Sequence, residues 1–179
     1  MHRAALGAGA LSDEWASMRL PAHVEGDDFI FLAAKESDEI VGFAYGYTGR
    51  AGQWWTDRVE RSLTVAQREE WIVPPHYEIV ELHVRPAQQR RGVGSALLAQ
   101  LLTRQPHDRA LLSTQAGSRK ARTFYAKNGW SELASVDFGT GYPPYVVLGR
   151  RLNLIRGVCE PGAEDTTFRP PSPRTRPPR

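Results

Sequence analysis

Val84-Arg85-Pro86-Ala87-Gln88-Gln89-Arg90-Arg91-Gly92-Val93-Gly94-Ser95-Ala96 is the stretch that decides the fold of this chain. Ahead of it, Tyr77 to Arg85 (YEIVELHVR) reads as a strand closed by Pro86. Behind it, Val93 to Arg104 (VGSALLAQLLTR) reads as a helix with Val93, Leu97, Leu98, Leu101 and Leu102 on one face. A strand therefore runs into a loop, and a helix begins within that loop. Gly92 and Gly94 let a ligand approach the backbone without a Cβ in the way. The free N–H groups of a helix start favour an anion, and Arg90 and Arg91 add charge at the rim. These are the ingredients of a diphosphate site. Taken alone, the segment also fits a tight turn with two solvated arginines. The third glycine of the dinucleotide fingerprint is absent, since Leu97 stands there, and so is the Walker lysine.

The flanking sequence builds a layered domain around this unit. Ser12 is positioned to cap a helix reaching about Leu20, which Pro21 would end. Phe29 to Lys35 and Ile40 to Thr48 read as two strands joined by the turn Glu36-Ser37-Asp38-Glu39. Residues 49–77 form an insertion with helical pieces at Asp57–Leu63 and Thr64–Trp71, the second capped by Thr64. Ala110 to Thr114 is a short strand. Ser118 caps a helix through Lys127 that Asn128-Gly129 ends. Trp130 to Asp137 and Tyr145 to Leu152 complete two more strands. The pattern is a mixed α/β layer fold, a mixed central sheet with helices on both faces.

Composition bounds the function. The chain has 179 residues, of which 41% are hydrophobic and 24% charged, ordinary for a globular domain. The pI is about 9.2. Of 23 basic residues, five lie in residues 156–179, with three of the 20 acidic ones. The remainder carries 18 basic and 17 acidic residues, so the body is nearly neutral and no nucleic-acid partner is expected. From Pro161 onward, six of the 13 prolines fall within 19 residues, and residues 156–179 read as a disordered Pro/Arg-rich tail. The domain is expected at 1–155. No run approaches the ~20 apolar residues of a membrane helix. The first residues lack a convincing signal-peptide core, so a cytoplasmic protein is expected. Cys159 is the only cysteine, which leaves no intrachain disulfide or multi-Cys zinc site; no metal is expected.

A second segment completes the argument. Gln89-x-x-Gly92-x-Gly94, after a strand ending Glu81-Leu82-His83-Val84-Arg85-Pro86, resembles the acetyl-CoA motif of the GNAT superfamily of N-acetyltransferases. About 30 residues on, Ala121-Arg122-Thr123-Phe124-Tyr125-Ala126-Lys127-Asn128-Gly129-Trp130 resembles that family's second helix, with its tyrosine and its terminal glycine and aromatic. The resemblance covers about residues 29–152. It implies a GNAT-type fold, acetyl-CoA as cosubstrate and acetyl transfer to a primary amine by direct attack in a ternary complex. It further implies that Leu82, His83 and Val84 pair by their backbone with the pantetheine arm. The N–H near Val84 would face the acetyl carbonyl. The N–H groups of Gln89, Arg90, Arg91, Gly92, Val93, Gly94 and Ser95 would hold the pyrophosphate, and Tyr125 would lie beside the sulfur. Ser118 stands where many members have an asparagine and is expected to reach a pantetheine amide less far. The family's first strand is expected to be missing or shortened, because only 28 residues precede Phe29.

The chemistry needs a base for the ammonium, donors for the oxyanion and an acid for the thiolate. Tyr125 is the candidate acid. Glu81 and Glu78 are the candidate bases; three residues apart, they fall on opposite faces of a regular strand, a parity that a bulge would change. His83 shares a face with Glu81 and could relay a proton. The acceptor is expected to contact residues 10–28, 49–76 and 137–144. Trp54, Trp55, Tyr45, Tyr47 and Tyr142 would either wall that site or anchor the insertion. The acceptor class stays open between a small amine and a protein N-terminus or lysine, as does a module that holds acyl-CoA without turnover. A monomer or homodimer is expected.

Overall fold

The computed structural model describes residues 20–153 and 167–168. Its elements in chain order are helix α1 (Leu20–Val24), strands β1 (Ile30–Glu36) and β2 (Glu39–Gly49), helices α2 (Trp54–Ser62) and α3 (Val65–Trp71), and β3 (His76–Val84). A single 3₁₀ turn (Pro86–Gln88) leads into α4 (Val93–Arg104). Then come β4 (Arg109–Gln115), α5 (Arg119–Lys127), β5 (Ser131–Val136), β6 (Tyr145–Arg151) and the two-residue β7 (Thr167–Phe168). One sheet holds all seven strands, in the order β5-β6-β4-β3-β2-β1-β7. Neighbours are antiparallel except β3 with β4 and β1 with β7. The sheet is thus mixed, as expected.

Helices cover both faces. Val93, Leu97, Leu98, Leu101 and Leu102 of α4 are all buried, against Leu32, Ala44, Ile79 and Leu112 of the sheet. This is the face that the helical spacing predicts. On the other side, Val59 and Leu63 of the α2 region and Trp71 of α3 pack on Leu111, Val136 and Val147. Thr64 caps α3 as expected and forms a capping box. Its Oγ1 accepts from the Gln67 N–H at 3.3 Å, and its own N–H donates to Gln67 Oε1 at 3.0 Å.

Two expectations need correction. Pro21 does not end a helix; it is the second residue of α1, in the first turn, where its missing N–H has no intrahelical role. The expected cap at Ser12 lies outside the described residues, as does most of the segment expected to lack a first strand. In the tail read as disordered, Thr167 and Phe168 pair in parallel with Ala33 and Ala34 of β1. Among the described residues that side of β1 has no other strand neighbour, so its backbone groups accept the pairing. The rest of the tail lies outside the described residues.

Candidate active site

The site begins where two parallel strands part. β3 and β4 pair only at Tyr77–Ala110 and Glu78–Leu111, and beyond this point the two strands share no ladder. Arg85 N–H donates to the Val41 carbonyl of β2 at 2.8 Å. Strand alternation then turns the backbone groups of Val84 and Leu82 away from β2, toward the split. Val84 C=O accepts from Gln89 Nε2 at 2.9 Å. Gln89 is therefore a clamp that folds the loop back onto the strand end. Its Oε1 accepts from Lys120 Nζ of α5. Lys120 thus stands at the loop, although no motif in the sequence marks it.

The loop is shaped by backbone conformation. Gly92 is the N-cap of α4 at φ 86°, and no side chain caps the helix. Arg90 also has positive φ, 63°. The first helical bond runs from Ala96 N–H to Gly92 C=O at 3.0 Å, so the N–H groups of Val93, Gly94 and Ser95 have no intrahelical acceptor. A Cβ on Gly94 would lie 3.4 Å from the Phe124 ring, which shows how closely α5 approaches this turn. Arg91 is held by Gln88 and by Glu36, with Nη2 3.2 Å from Glu36 Oε1.

Tyr125 is placed by the end of α5. Ser118 caps the start of that helix, accepting from Ala121 N–H at 3.4 Å. At the other end Gly129 has φ 80°; its N–H donates to Ala126 C=O at 3.1 Å, and Trp130 N–H donates to Tyr125 C=O at 3.1 Å. This is the paired-bond helix terminator that needs glycine at the turn. It brings the Trp130 ring edge-on to Tyr125, with centroids 5.9 Å apart and planes at 68°. Burial, and then the charge of Glu81, raise the Tyr125 phenol above its ordinary pKa. It stays protonated at neutral pH.

The two glutamates share one face, which corrects the expectation for a regular strand. Tyr45 pairs with Glu81, but Gly46 pairs with Ile79, so Val80 is an extra residue in β3. Tyr47 opposes Glu78 and Phe43 opposes His83. Glu78, Glu81 and His83 therefore lie beside Tyr47, Tyr45 and Phe43 on the face away from α4. His83 Nε2 contacts Glu81 Oε2 directly. Phe31 stacks on Phe43 at 5.8 Å, Phe43 lies 5.1 Å from His83, and His23 Nδ1 meets the Tyr45 hydroxyl at 3.2 Å. Of the insertion's tryptophans, Trp55 donates to Ser113 Oγ of β4 at 3.0 Å and so anchors α2. Trp54 stacks on Phe138 at 5.4 Å, with Tyr142 at 6.4 Å. Among the described residues these rings fall into two groups, one on β1–β2 and one between α2 and residues 138–142.

Glu78 is buried, and that burial pushes its pKa up to about 8, with Tyr47 hydrogen-bonding to it. The folded state therefore binds this proton more tightly than the unfolded chain. The stability it confers is complete below about pH 4.5 and is lost as pH rises to about 8. His76 acts in reverse. Burial first, then the charges of His107 and Arg109, push it down to about 4, so its contribution is lost as pH falls from about 6.5 to 4. Thermal melts across pH should show stability declining on both sides. Glu78→Gln should remove the decline between about pH 4.5 and 8 and keep the acid one. An unchanged alkaline decline would assign it to another group.

Comparison with known proteins bears on this geometry. A family model described as acetyltransferase (GNAT) family matches residues 6–130. A GCN5-like protein acetyltransferase of Mycobacterium tuberculosis is 34% identical over 127 residues, which is 64% of this chain and 60% of that protein's length. The ribosomal-protein-S18-alanine N-acetyltransferase of Escherichia coli superposes with a TM-score of 0.53 at 15% identity, covering 89% of this chain and 84% of its own. A Bacillus anthracis protein assigned as a streptothricin acetyltransferase, solved with acetyl coenzyme A, gives a TM-score of 0.53 at 17% identity, covering 74% and 68%. At these identities the two structures speak to the fold alone. Among the described residues no helix is long and apolar enough to cross a membrane.

Proposed function

The chain belongs to the GNAT family of acetyltransferases, and from that premise we propose that it transfers acetyl from acetyl-CoA to a primary amine within a ternary complex. The observation that carries the reading is the split between β3 and β4 beside an uncapped helix start. The open strand edge offers backbone partners for a pantetheine arm, and the N–H groups of Val93, Gly94 and Ser95 suit a pyrophosphate. Gln89, Arg90, Arg91 and Gly92 complete that cradle. Lys120 joins it, and Ser118 borders it as the cap of α5. Acetyl-CoA supplies the activated acyl group as a thioester.

The protein's own groups then divide the work. Val84 N–H donates to the acetyl oxygen as charge develops there. Tyr125 gives its proton to the departing sulfur. The Glu81–His83 pair accepts the proton of the acceptor ammonium. Glu78, whose carboxyl is pushed up to about 8 by burial, holds Tyr47 in the floor of the acceptor face. A second reading concerns the acceptor: a protein lysine or N-terminus in place of a small amine. It is favoured by the Mycobacterium tuberculosis relative, which is named a protein acetyltransferase.

The test has two stages. Acetyl-CoA at 100 times its Kd should stabilise the protein by about 2.7 kcal/mol in thermal melts. A panel of small amines and short peptides, read by free-thiol release, should then identify the acceptor class. No melting shift at millimolar acetyl-CoA would remove the cofactor assignment. Stabilisation without thiol release from any amine would leave a binding module.

A further inference from the structure

We propose that residues 169–179 form a basic strap that closes over the cofactor loop and holds the phosphate groups of acetyl-CoA, led there by the pairing of Thr167 and Phe168 with β1. The inference rests on the acetyl-transfer reading above and adds to its cofactor site a segment distant in sequence.

The direction of β7 carries it. Thr167 and Phe168 lie beside Ala33 and Ala34 and run parallel to β1. A chain leaving Phe168 in that direction comes level with Glu36, the last residue of β1, within two residues, about 7 Å. The cofactor loop reaches the same place. It leaves β3, which β2 separates from β1, yet Gln88 Nε2 donates to Glu36 Oε2 at 2.5 Å and Arg91 Nη2 lies 3.2 Å from Glu36 Oε1. Val93, which begins α4 just after Arg91, shares a core with Leu32 and Ala34 of β1. The start of α4, with the N–H groups offered to the diphosphate, thus sits beside the strand that β7 borders.

Charge identifies what the strap holds. Residues 169–179 (RPPSPRTRPPR) carry four arginines, five prolines and no acidic residue. The acidic residues of the tail, Glu160, Glu164 and Asp165, all precede β7. At the end of β1 the protein itself is nearly balanced, with Lys35, Arg85, Arg90 and Arg91 against Glu36, Asp38 and Glu39. Glu39 is paired with Arg85, and Glu36 with Arg91. Four further arginines therefore meet no net negative charge on the protein there. Acetyl-CoA supplies it, as a diphosphate and a phosphate monoester that alone carries about −1.5 to −2 at neutral pH. The guanidinium fork matches phosphate oxygens.

Reach and entropy agree with this occupant. A proline-rich segment favours an extended backbone that rises about 3.1 Å per residue, so a stretch of this length spans up to roughly 34 Å. Proline also has its φ fixed in advance, so less freedom is lost when such a segment is ordered. Anchoring at β7 raises the concentration of the arginines at the loop, because they meet the phosphates within one chain. The strap closes when cofactor is bound, and it weakens with salt.

Titration calorimetry of the full chain with acetyl-CoA tests the strap without an acceptor. Arg169→Ser, Arg174→Ser, Arg176→Ser and Arg179→Ser together should raise Kd about tenfold or more at about 50 mM salt, and under about threefold at about 500 mM, where charges are screened. Lysine at the same four positions should restore most of the affinity, because the charge is kept. Thr167→Pro with Phe168→Pro removes both N–H groups of β7 and should weaken binding as the fourfold serine variant does. Amide exchange at Arg174, Thr175 and Arg176 should slow when acetyl-CoA is added to the wild type. Equal Kd for the wild type and the fourfold serine variant at low salt would overturn the strap. So would a double-proline variant that binds like the wild type. If the fourfold serine variant lost only affinity for a short DNA duplex, the tail would be a nucleic-acid contact and the strap would fall. A wild type that binds no acetyl-CoA would sink the acetyl-transfer reading and the strap together, whereas undiminished binding by every variant sinks the strap alone.

Discussion

Replacing Tyr125 by phenylalanine should lower kcat about 100-fold or more while leaving acetyl-CoA affinity within about twofold. The substitution removes one hydroxyl and keeps the ring. The ring contacts to Trp130 and Phe124 and the carbonyl bond from Trp130 N–H do not involve that hydroxyl. Packing and the approach of α5 to Gly94 are therefore preserved, and stability should change by under about 1 kcal/mol. What is lost is the proton donor. Without it the sulfur departs as a bare thiolate in a partly buried site. The variant should recover rate with acyl donors whose thiol is more acidic, since these need the proton less. An unchanged kcat would reduce Tyr125 to a packing residue. A large rise in acetyl-CoA Kd would show that its hydroxyl serves binding instead.

Leu101→Ala should cost about 2–5 kcal/mol of folding stability, the range for emptying a buried leucine site. Leu101 is fully buried on the inner face of α4, among Leu97, Leu98, Leu32 and Leu148. For a domain of this size each kcal/mol lowers Tm by about 2–4 °C, so a fall of roughly 4–20 °C is expected. The effect has a functional reading as well. α4 carries the loop at its N-terminus, so looser seating of the helix should weaken acetyl-CoA binding. Saturating cofactor should then restore part of the lost Tm. A decrease of under 1 °C would mean that α4 does not seat as described.

Much of the molecule was legible in the chain. The inner face of α4, the Thr64 and Ser118 caps and the glycine stop after Asn128 rest on local periodicity and capping chemistry, which act within a few residues. The Gly92–Gly94 turn was legible for the same reason. Pro21 was misread because one proline both stops a helix and opens one, and only the neighbouring turns distinguish the two roles. The pairing of Thr167 and Phe168 depends on the open edge of β1, which lies far away in sequence.

The sequence by itself determined most of the elements, the glycine turn at Gly92–Gly94 and the family, because each is encoded in short-range spacing. Tertiary structure alone decided which groups meet. A single extra residue at Val80 brings Glu78 to the face of Glu81 and His83, and its presence depends on the register of β2 against β3. Lys120 reaches Gln89 across 31 positions only because the fold brings the start of α5 to the loop after β3. Glu78 holds its proton because the packed interior excludes water from its carboxyl. Each of these is set by long-range register or burial, quantities that no local pattern of residues contains.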